Sequence, residues 1–164
     1  MAKPTTYATP ICILLSIIAI IGIIAGIADK SALWVIFLLL PAVIYEVYRT
    51  EGETTKWASW LLLALLIAEI IFVLFNIKFD LANFVGQDYT YVGATNIPLG
   101  DLTIVFPTVM AVLSVILFIR TAGVYTKWLS VIIFASMIAT VYIINPNSFR
   151  DLIRSVFNLV MWQI

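Results

Sequence analysis

Long apolar runs separated by short polar segments make up most of the sequence. Each run comes close to the roughly 17–25 mostly apolar residues that a helix needs to cross a bilayer. The pattern therefore predicts five transmembrane helices, over residues 10–27, 32–48, 57–77, 102–119 and 128–144. We interpret the first run as a retained helix rather than a signal peptide, although Lys3 precedes it and small residues follow it.

Two of the predicted spans contain a proline. Pro41 lies in the middle of the second span, and Pro107 lies near the start of the fourth. Proline has no backbone N–H and its ring clashes with the preceding turn, so it kinks or loosens a helix. We expect such a kink in both spans.

A nine-residue motif occurs twice, each time between two apolar runs. Residues 49–57 and 120–128 share the pattern R-T-x-G-x-x-T-K-W at an offset of 71 positions. All six identities are polar residues, glycine or tryptophan, which chance matches less readily than leucine and isoleucine in so apolar a chain. The sequence predicts a tandem, parallel duplication of a helical hairpin, with units 32–77 and 102–144.

Small residues spaced four apart lie on one face of a helix and let a neighbouring backbone approach closely. Three such pairs are expected to pack helices, within this chain or against another subunit: Gly22 with Gly26, Ala64 with Ala68, and Ala135 with Ala139. The two alanine pairs match each other at the offset of 71 positions, which extends the duplication beyond the motif.

Two segments lie outside the predicted spans. Residues 78–101 form an extramembrane loop that is too aromatic for a plain linker, and we expect a short helix over 81–85 within it. In residues 147–164, apolar side chains recur at helical spacing and polar ones take the other face. This pattern predicts an amphipathic helix that lies in the membrane interface or docks on a partner.

Composition restricts the class of protein and the chemistry. The 164 residues are 63% hydrophobic and 11% charged, whereas soluble domains carry about 25% charged residues. We therefore expect a single integral membrane domain embedded in the lipid bilayer. The net charge is zero, so no basic field attracts nucleic acid. With no histidine and only one cysteine, Cys12, we expect no catalytic residues, metal site or cofactor, and no enzyme activity.

The basic residues favour one orientation in the membrane. An odd number of spans places the N-terminus and both repeated turns on the same side. That side carries five Lys and Arg residues against four on the other, if the amphipathic segment follows the fifth span. The positive-inside rule then makes the repeated turns and the N-terminus cytoplasmic, and we expect a prokaryotic plasma membrane.

The repeated turn has a structural and a functional interpretation. In the favoured structural one, the glycine ends the preceding helix in a left-handed conformation, a threonine caps the next helix, and the tryptophan anchors the interface. In the functional one, the basic side chains bind anionic headgroups or a docking partner. The candidates for that role are Arg49, Lys56, Arg120 and Lys127.

Glu69 is the only acidic residue well inside a predicted span. It lies about 18 Å from the start of a core about 30 Å thick, where a charged acid costs about 2.5–3.5 kcal/mol. It is either a neutral acid hydrogen-bonded to a neighbour or a functional group in transport or partner contact. Thr140 is the equivalent residue in the second unit. Glu46, near Arg49, is expected to be a solvated interfacial acid.

The leading functional hypothesis is a non-catalytic integral membrane subunit that packs in and stabilises a larger membrane protein complex. It rests on the scarcity of polar groups within the spans, the small-residue pairs and the amphipathic tail. The alternative is a small oligomeric transporter or channel that uses Glu69 within the membrane. A membrane enzyme ranks below both because no catalytic constellation is present.

Overall fold

The computed structural model describes residues 7–75, 77, 90–92, 95–97, 102–146 and 150. Its helices are α1 (Ala8–Asp29), α2 (Ala32–Arg49), α3 (Glu53–Leu74), α4 (Leu102–Arg120) and α5 (Val124–Ile144). All five are long and apolar enough to cross a membrane, which confirms the five predicted spans. Helices α3 and α5 begin four residues before the predicted spans, which start at the motif tryptophan.

One short hairpin is the only non-helical regular element in the described part of the chain. It pairs β1 (Thr90–Val92) with β2 (Thr95–Ile97) in antiparallel register, with Thr90 opposite Ile97. The sequence analysis did not predict these strands. The predicted helix over 81–85 lies outside the described residues, as does the amphipathic segment 147–164 apart from Arg150.

Four helices close a ring. Helix α2 packs on α3, α3 on α4, α4 on α5, and α5 on α2. Helix α1 stands outside this ring and packs on both α2 and α5. The largest apolar side chains in the buried core come from the ring helices: Ile36, Leu39, Leu62, Leu66, Met110, Leu117, Leu129, Ile133 and Met137.

Both prolines lie inside continuous helices, so neither ends its span. The same residue that interrupts hydrogen bonding in a soluble helix is tolerated in a membrane helix because neighbouring helices support it. The expected kinks stay a prediction.

Close approach of α1 to α2 occurs at Gly22 and Gly26. A Cβ atom added to Gly22 would lie 2.9 Å from the Cβ of Leu38. One added to Gly26 would lie 2.6 Å from Val35 Cγ2 and 3.1 Å from Ile143 Cδ1, so this glycine faces both α2 and α5. By contrast, Ala64 and Ala135 are exposed, and Ala68 and Ala139 are half-buried. The alanine pairs therefore face the outside of the ring.

We expect Gly26→Val to destabilise the fold by about 1–3 kcal/mol, because the new side chain must push α1 away from Val35. Equilibrium unfolding in mixed detergent micelles measures the change. Ala28→Val is the matched control, since Ala28 lies in the same helix but is exposed. Equal losses in both variants would contradict the close packing of α1 at Gly26.

Candidate functional site

The two repeated turns share the backbone hydrogen bond that ends their first helix. The N–H of Thr50 bonds to the Glu46 carbonyl at 2.8 Å, and that of Thr121 bonds to the Leu117 carbonyl at 2.9 Å. Each of these threonines follows the last residue of its helix, Arg49 in α2 and Arg120 in α4. The first threonine of the motif therefore ends the helix in both copies.

The motif glycines begin the second helix of each hairpin rather than end the first, so the expected glycine C-cap is wrong. Gly52 is the N-cap of α3 with φ +105°, and Gly123 is the N-cap of α5 with φ −71°. The second threonine is not an N-cap but lies inside the first turn of the helix. Its hydroxyl donates back to the glycine carbonyl, at 3.1 Å from Thr55 and 2.7 Å from Thr126. A Cβ on either glycine would lie 2.9 Å from that hydroxyl oxygen.

Glu46 is fully buried, at 0% exposure, which corrects the expectation of a solvated acid. The hydroxyl of Thr50 donates to Glu46 Oε1 at 3.1 Å and to the Glu46 backbone carbonyl at 2.8 Å. Ser59 of α3 in turn donates to Thr50 Oγ1 at 3.0 Å. Within the described ranges, Glu46 Oε2 has no hydrogen-bond partner. The first motif threonine thus links a buried acid in α2 to a serine in α3.

The second copy of the motif lacks this acid. Seventy-one positions after Glu46 the chain has Leu117, which is also buried. The hydroxyl of Thr121 is buried and has no hydrogen-bond partner among the described residues, while Ser130 donates to the Thr126 carbonyl at 2.8 Å. Only one half of the ring carries a carboxyl group at this level.

The basic residues of the two turns also differ in their contacts. The Arg49 guanidinium lies over the Tyr125 ring, 4.7 Å from its centroid, and the Lys127 ammonium lies 5.7 Å from the centroid of Phe118. Lys56 and Arg120 are exposed. The four side chains therefore do not form two equivalent anion sites.

Glu69 is buried in α3 at 0% exposure, and neither of its carboxyl oxygens has a hydrogen-bond partner in the part of the chain that the structure describes. Thr140, equivalent in the repeat, is equally buried, but its hydroxyl donates to the Ser136 carbonyl at 2.9 Å. The structure does not bring these two side chains together in a hydrogen bond. A buried polar group without a partner is costly, so Glu69 is a second candidate for chemistry.

The buried faces of the ring helices follow the offset of the sequence repeat. The buried positions of α3 are Thr55, Ser59, Leu62, Leu66 and Glu69. Adding 71 to each number gives buried residues of α5: Thr126, Ser130, Ile133, Met137 and Thr140. Four buried residues of α2 correspond in the same way to buried residues of α4: Ile36 to Pro107, Leu39 to Met110, Val43 to Ser114, and Glu46 to Leu117.

Six residues of α2 and α5 are buried although their counterparts at the offset of 71 positions are not: Ala32, Val35, Ala42, Leu129, Ser136 and Val141. Helix α1 fills the groove between α2 and α5, which we call the covered groove. At helical spacing, Val35 and Ala42 share one face of α2, and Leu129 and Ser136 share one face of α5 with Ile143, which lies near Gly26 of α1. We call the groove between α3 and α4 the open groove. The residues that correspond to these four are only half-buried: Phe106, Leu113, Ala58 and Leu65.

Two polar contacts hold α1 in the covered groove. The indole N–H of Trp128 donates to Ser16 Oγ at 2.9 Å, and Ser16 donates to the Cys12 carbonyl at 2.7 Å. The hydroxyls of Thr9 and Tyr125 share a hydrogen bond of 2.9 Å. The motif tryptophan of the second copy therefore binds a helix that lies outside the four-helix ring.

The two grooves differ at the end far from the turns. In the covered groove, Val35 and Ile143 contact Gly26 of α1. Their counterparts in the open groove are Phe106 and Phe72, whose rings meet edge to face with centroids 5.3 Å apart. These rings occupy that end of the open groove, so its accessible part lies nearer the turns.

No group of three or more metal-ligating side chains occurs within the described ranges. Comparison with protein-family models, with curated proteins and with solved structures finds no match. The fold itself indicates a membrane-embedded helical protein with five apolar helices.

We expect Thr50→Val to destabilise the protein by about 1–3 kcal/mol, because it leaves the buried Glu46 carboxyl with no hydroxyl donor. Thr121→Val is the matched control and should be neutral or stabilising, since the Thr121 hydroxyl has no partner to lose. Thermal unfolding in detergent compares the two variants. An equal loss at both positions would show that the Glu46 contact does not matter to stability.

Proposed function

We propose that this chain is a non-catalytic integral membrane subunit that binds a transmembrane helix of another protein and so stabilises a larger complex. The observation that carries the proposal is the open groove between α3 and α4. Its half-buried residues occupy the positions that α1 covers on the other side of the ring. The chain itself thus supplies an example of the kind of helix that fits such a groove.

We further infer that the ring arose by tandem duplication of a hairpin, with units 32–77 and 102–144. The repeated motif supports this, and so does the agreement of buried positions in α3 and α5 at the offset of 71 residues. The order of packing around the ring is compatible with a pseudo-two-fold axis along the membrane normal. Helix α1 has no counterpart in the described chain, so the duplication leaves one groove without its helix.

For binding a partner helix, the concave shape of the open groove matters more than its apolar character. Lipid tails are as apolar as leucine, so an apolar surface alone does not favour a partner over lipid. Helices associate in a membrane through close packing and interhelical hydrogen bonds. A groove lined by half-buried residues such as Ala58 and Leu65 offers more contact to a helix than a convex helix face does. The exposed Ala64 and Ala135 faces are weaker candidates for the same reason.

The membrane placement belongs to the same proposal. We place the repeated turns and the N-terminus on the cytoplasmic side of a prokaryotic plasma membrane. The exposed Lys56 and Arg120 are available there to anionic headgroups. The segment 147–164 would lie in the interface or on the partner as an amphipathic helix.

Mild-detergent purification of the tagged full chain tests the subunit proposal. We expect a second polypeptide in constant proportion. Ala58→Trp should release it, because the indole ring fills the open groove. Val112→Trp, on an exposed face of α4, should retain it. A single species containing this chain alone would overturn the proposal.

Transport of protons or cations is the second candidate function, and the two buried glutamates favour it. Glu69 has two unpartnered oxygens and Glu46 has one, both within the described bundle. Buried hydroxyls of Ser59, Ser114 and Thr140 add polar groups to the same faces. Against transport, Ser114 and Thr140 donate to carbonyl groups of their own helices, so the described residues form no continuous polar lining.

Flux through proteoliposomes separates the two functions. If the chain transports, Glu69→Gln should reduce a proton or cation flux of the wild type at least about tenfold, since the ionisable group is lost. If Glu69 has no such role, Glu69→Leu should instead stabilise the fold by about 1–3 kcal/mol, because it removes unpartnered buried oxygens. Absence of flux in the wild type would eliminate transport as the function.

A further inference from the structure

The tryptophans of the two motif copies stand at the same place in their helices but differ in environment. Trp57 and Trp128 are each the fifth residue of their helix, in α3 and α5. Trp128 is 41% exposed and donates its indole N–H to Ser16 of α1. Trp57 is 78% exposed, and its indole has no hydrogen bond within the part of the chain that the structure describes.

The difference between the tryptophans is explained by α1. Trp128 flanks the covered groove, where α1 supplies a hydroxyl group at the depth of the indole. Trp57 flanks the open groove, at the end that faces the turns. Leu61, one turn further along α3, is 50% exposed, whereas its counterpart Ile132 is half-buried beside α1. The open groove is thus accessible where Trp57 stands.

We propose that Trp57 recognises the partner helix in the open groove by donating its indole N–H to a serine or threonine hydroxyl of that helix. This inference rests on the proposed function, since it specifies how the subunit binds its partner. The hydroxyl takes the role that Ser16 has on α1. Because a hydrogen bond is directional, this one fixes the partner's depth and rotation at the end of the groove that faces the turns.

The occupant of the open groove is a helix of another protein rather than α1 of a second copy. Gly26 of α1 already lies in tight contact with Val35 and Ile143. The larger rings of Phe106 and Phe72 stand at those positions in the open groove. These larger rings leave a helix less room at that end of the groove than Val35 and Ile143 leave to α1. The partner helix therefore follows the groove from the turns and diverges from the ring at the phenylalanine pair.

The loss of the second polar contact makes Trp57 the main determinant. In the covered groove, the Tyr125 hydroxyl also binds α1 through Thr9. The residue corresponding to Tyr125 is Thr54, which is exposed and has no aromatic ring to reach across the groove. Of the two polar contacts that hold α1 in the covered groove, the open groove can therefore form only the one made by its tryptophan, Trp57.

Photo-crosslinking in native membranes tests this assignment. A benzophenone amino acid replaces Leu61, and mass spectrometry maps the crosslinked residue. We expect it in a transmembrane segment of another protein that carries serine or threonine within one helical turn. Trp57→Phe keeps an aromatic ring but removes the N–H, and should weaken partner retention about three- to tenfold. Trp60→Phe, on another exposed face of α3, should leave retention unchanged.

A double-mutant cycle then isolates the hydrogen bond. Trp57→Phe combined with alanine at the mapped hydroxyl should weaken retention no more than either change alone. Additive losses would overturn the hydrogen bond. Retention by Trp57→Phe together with loss in Ala58→Trp would overturn the role of Trp57 but keep the groove as the binding surface. Crosslinks only to lipid, to a second copy or to residues 147–164 would overturn the partner assignment, and absence of any partner would overturn the proposed function as well.

Discussion

Close packing between apolar helices is the constraint on which the rest of this structure depends, because lipid offers a helix nearly the same apolar contact as a neighbouring helix does. Helices α2 to α5 satisfy it by burying matched faces in a closed ring. Helix α1 satisfies it through two glycines, where a single added Cβ would meet Leu38 or Val35. Helix α1 covers the groove between α2 and α5 but not the groove between α3 and α4, so equivalent residues of the two hairpins have different surroundings.

Polar groups inside the ring follow a second constraint, which is that each needs a partner in the absence of water. Most buried hydroxyls meet it locally, as Ser130 and Thr140 do by donating to carbonyls of their own helix. Glu46 meets it in part through Thr50, and Glu69 does not meet it within the described chain. Both acids lie in the first hairpin, and the second hairpin has Leu117 and Thr140 in their places. The buried carboxyl groups of the ring helices are therefore confined to the first hairpin.

The grooves on either side of the ring connect the architecture to the proposed function. Helix α1 fills the covered groove and is held there by the Trp128 indole. The open groove has Trp57 at the corresponding position but no helix within the described residues. A repeated turn that first resembles a pair of equivalent docking motifs thus has two different uses. Its threonines make matching backbone hydrogen bonds in both copies, although the two glycines differ in φ, whereas its tryptophan binds α1 in the second copy and is exposed in the first.

Hydropathy alone predicted the five helices, since crossing a bilayer requires long apolar runs, and the repeated polar motif alone identified the 71-residue offset. Sequence reasoning also singled out Glu69, because an acid far from both ends of a span stands out. It missed the burial of Glu46, which lies three residues from the end of α2, where depth along the chain indicates the interface. It could not separate Trp57 from Trp128, which have the same motif around them. Only the tertiary structure decided these points, because contacts between distant segments leave no local pattern in the sequence. Thr50 and Ser59 form a hydrogen-bonded chain beside the Glu46 carboxyl group, and α1 covers one of the two grooves.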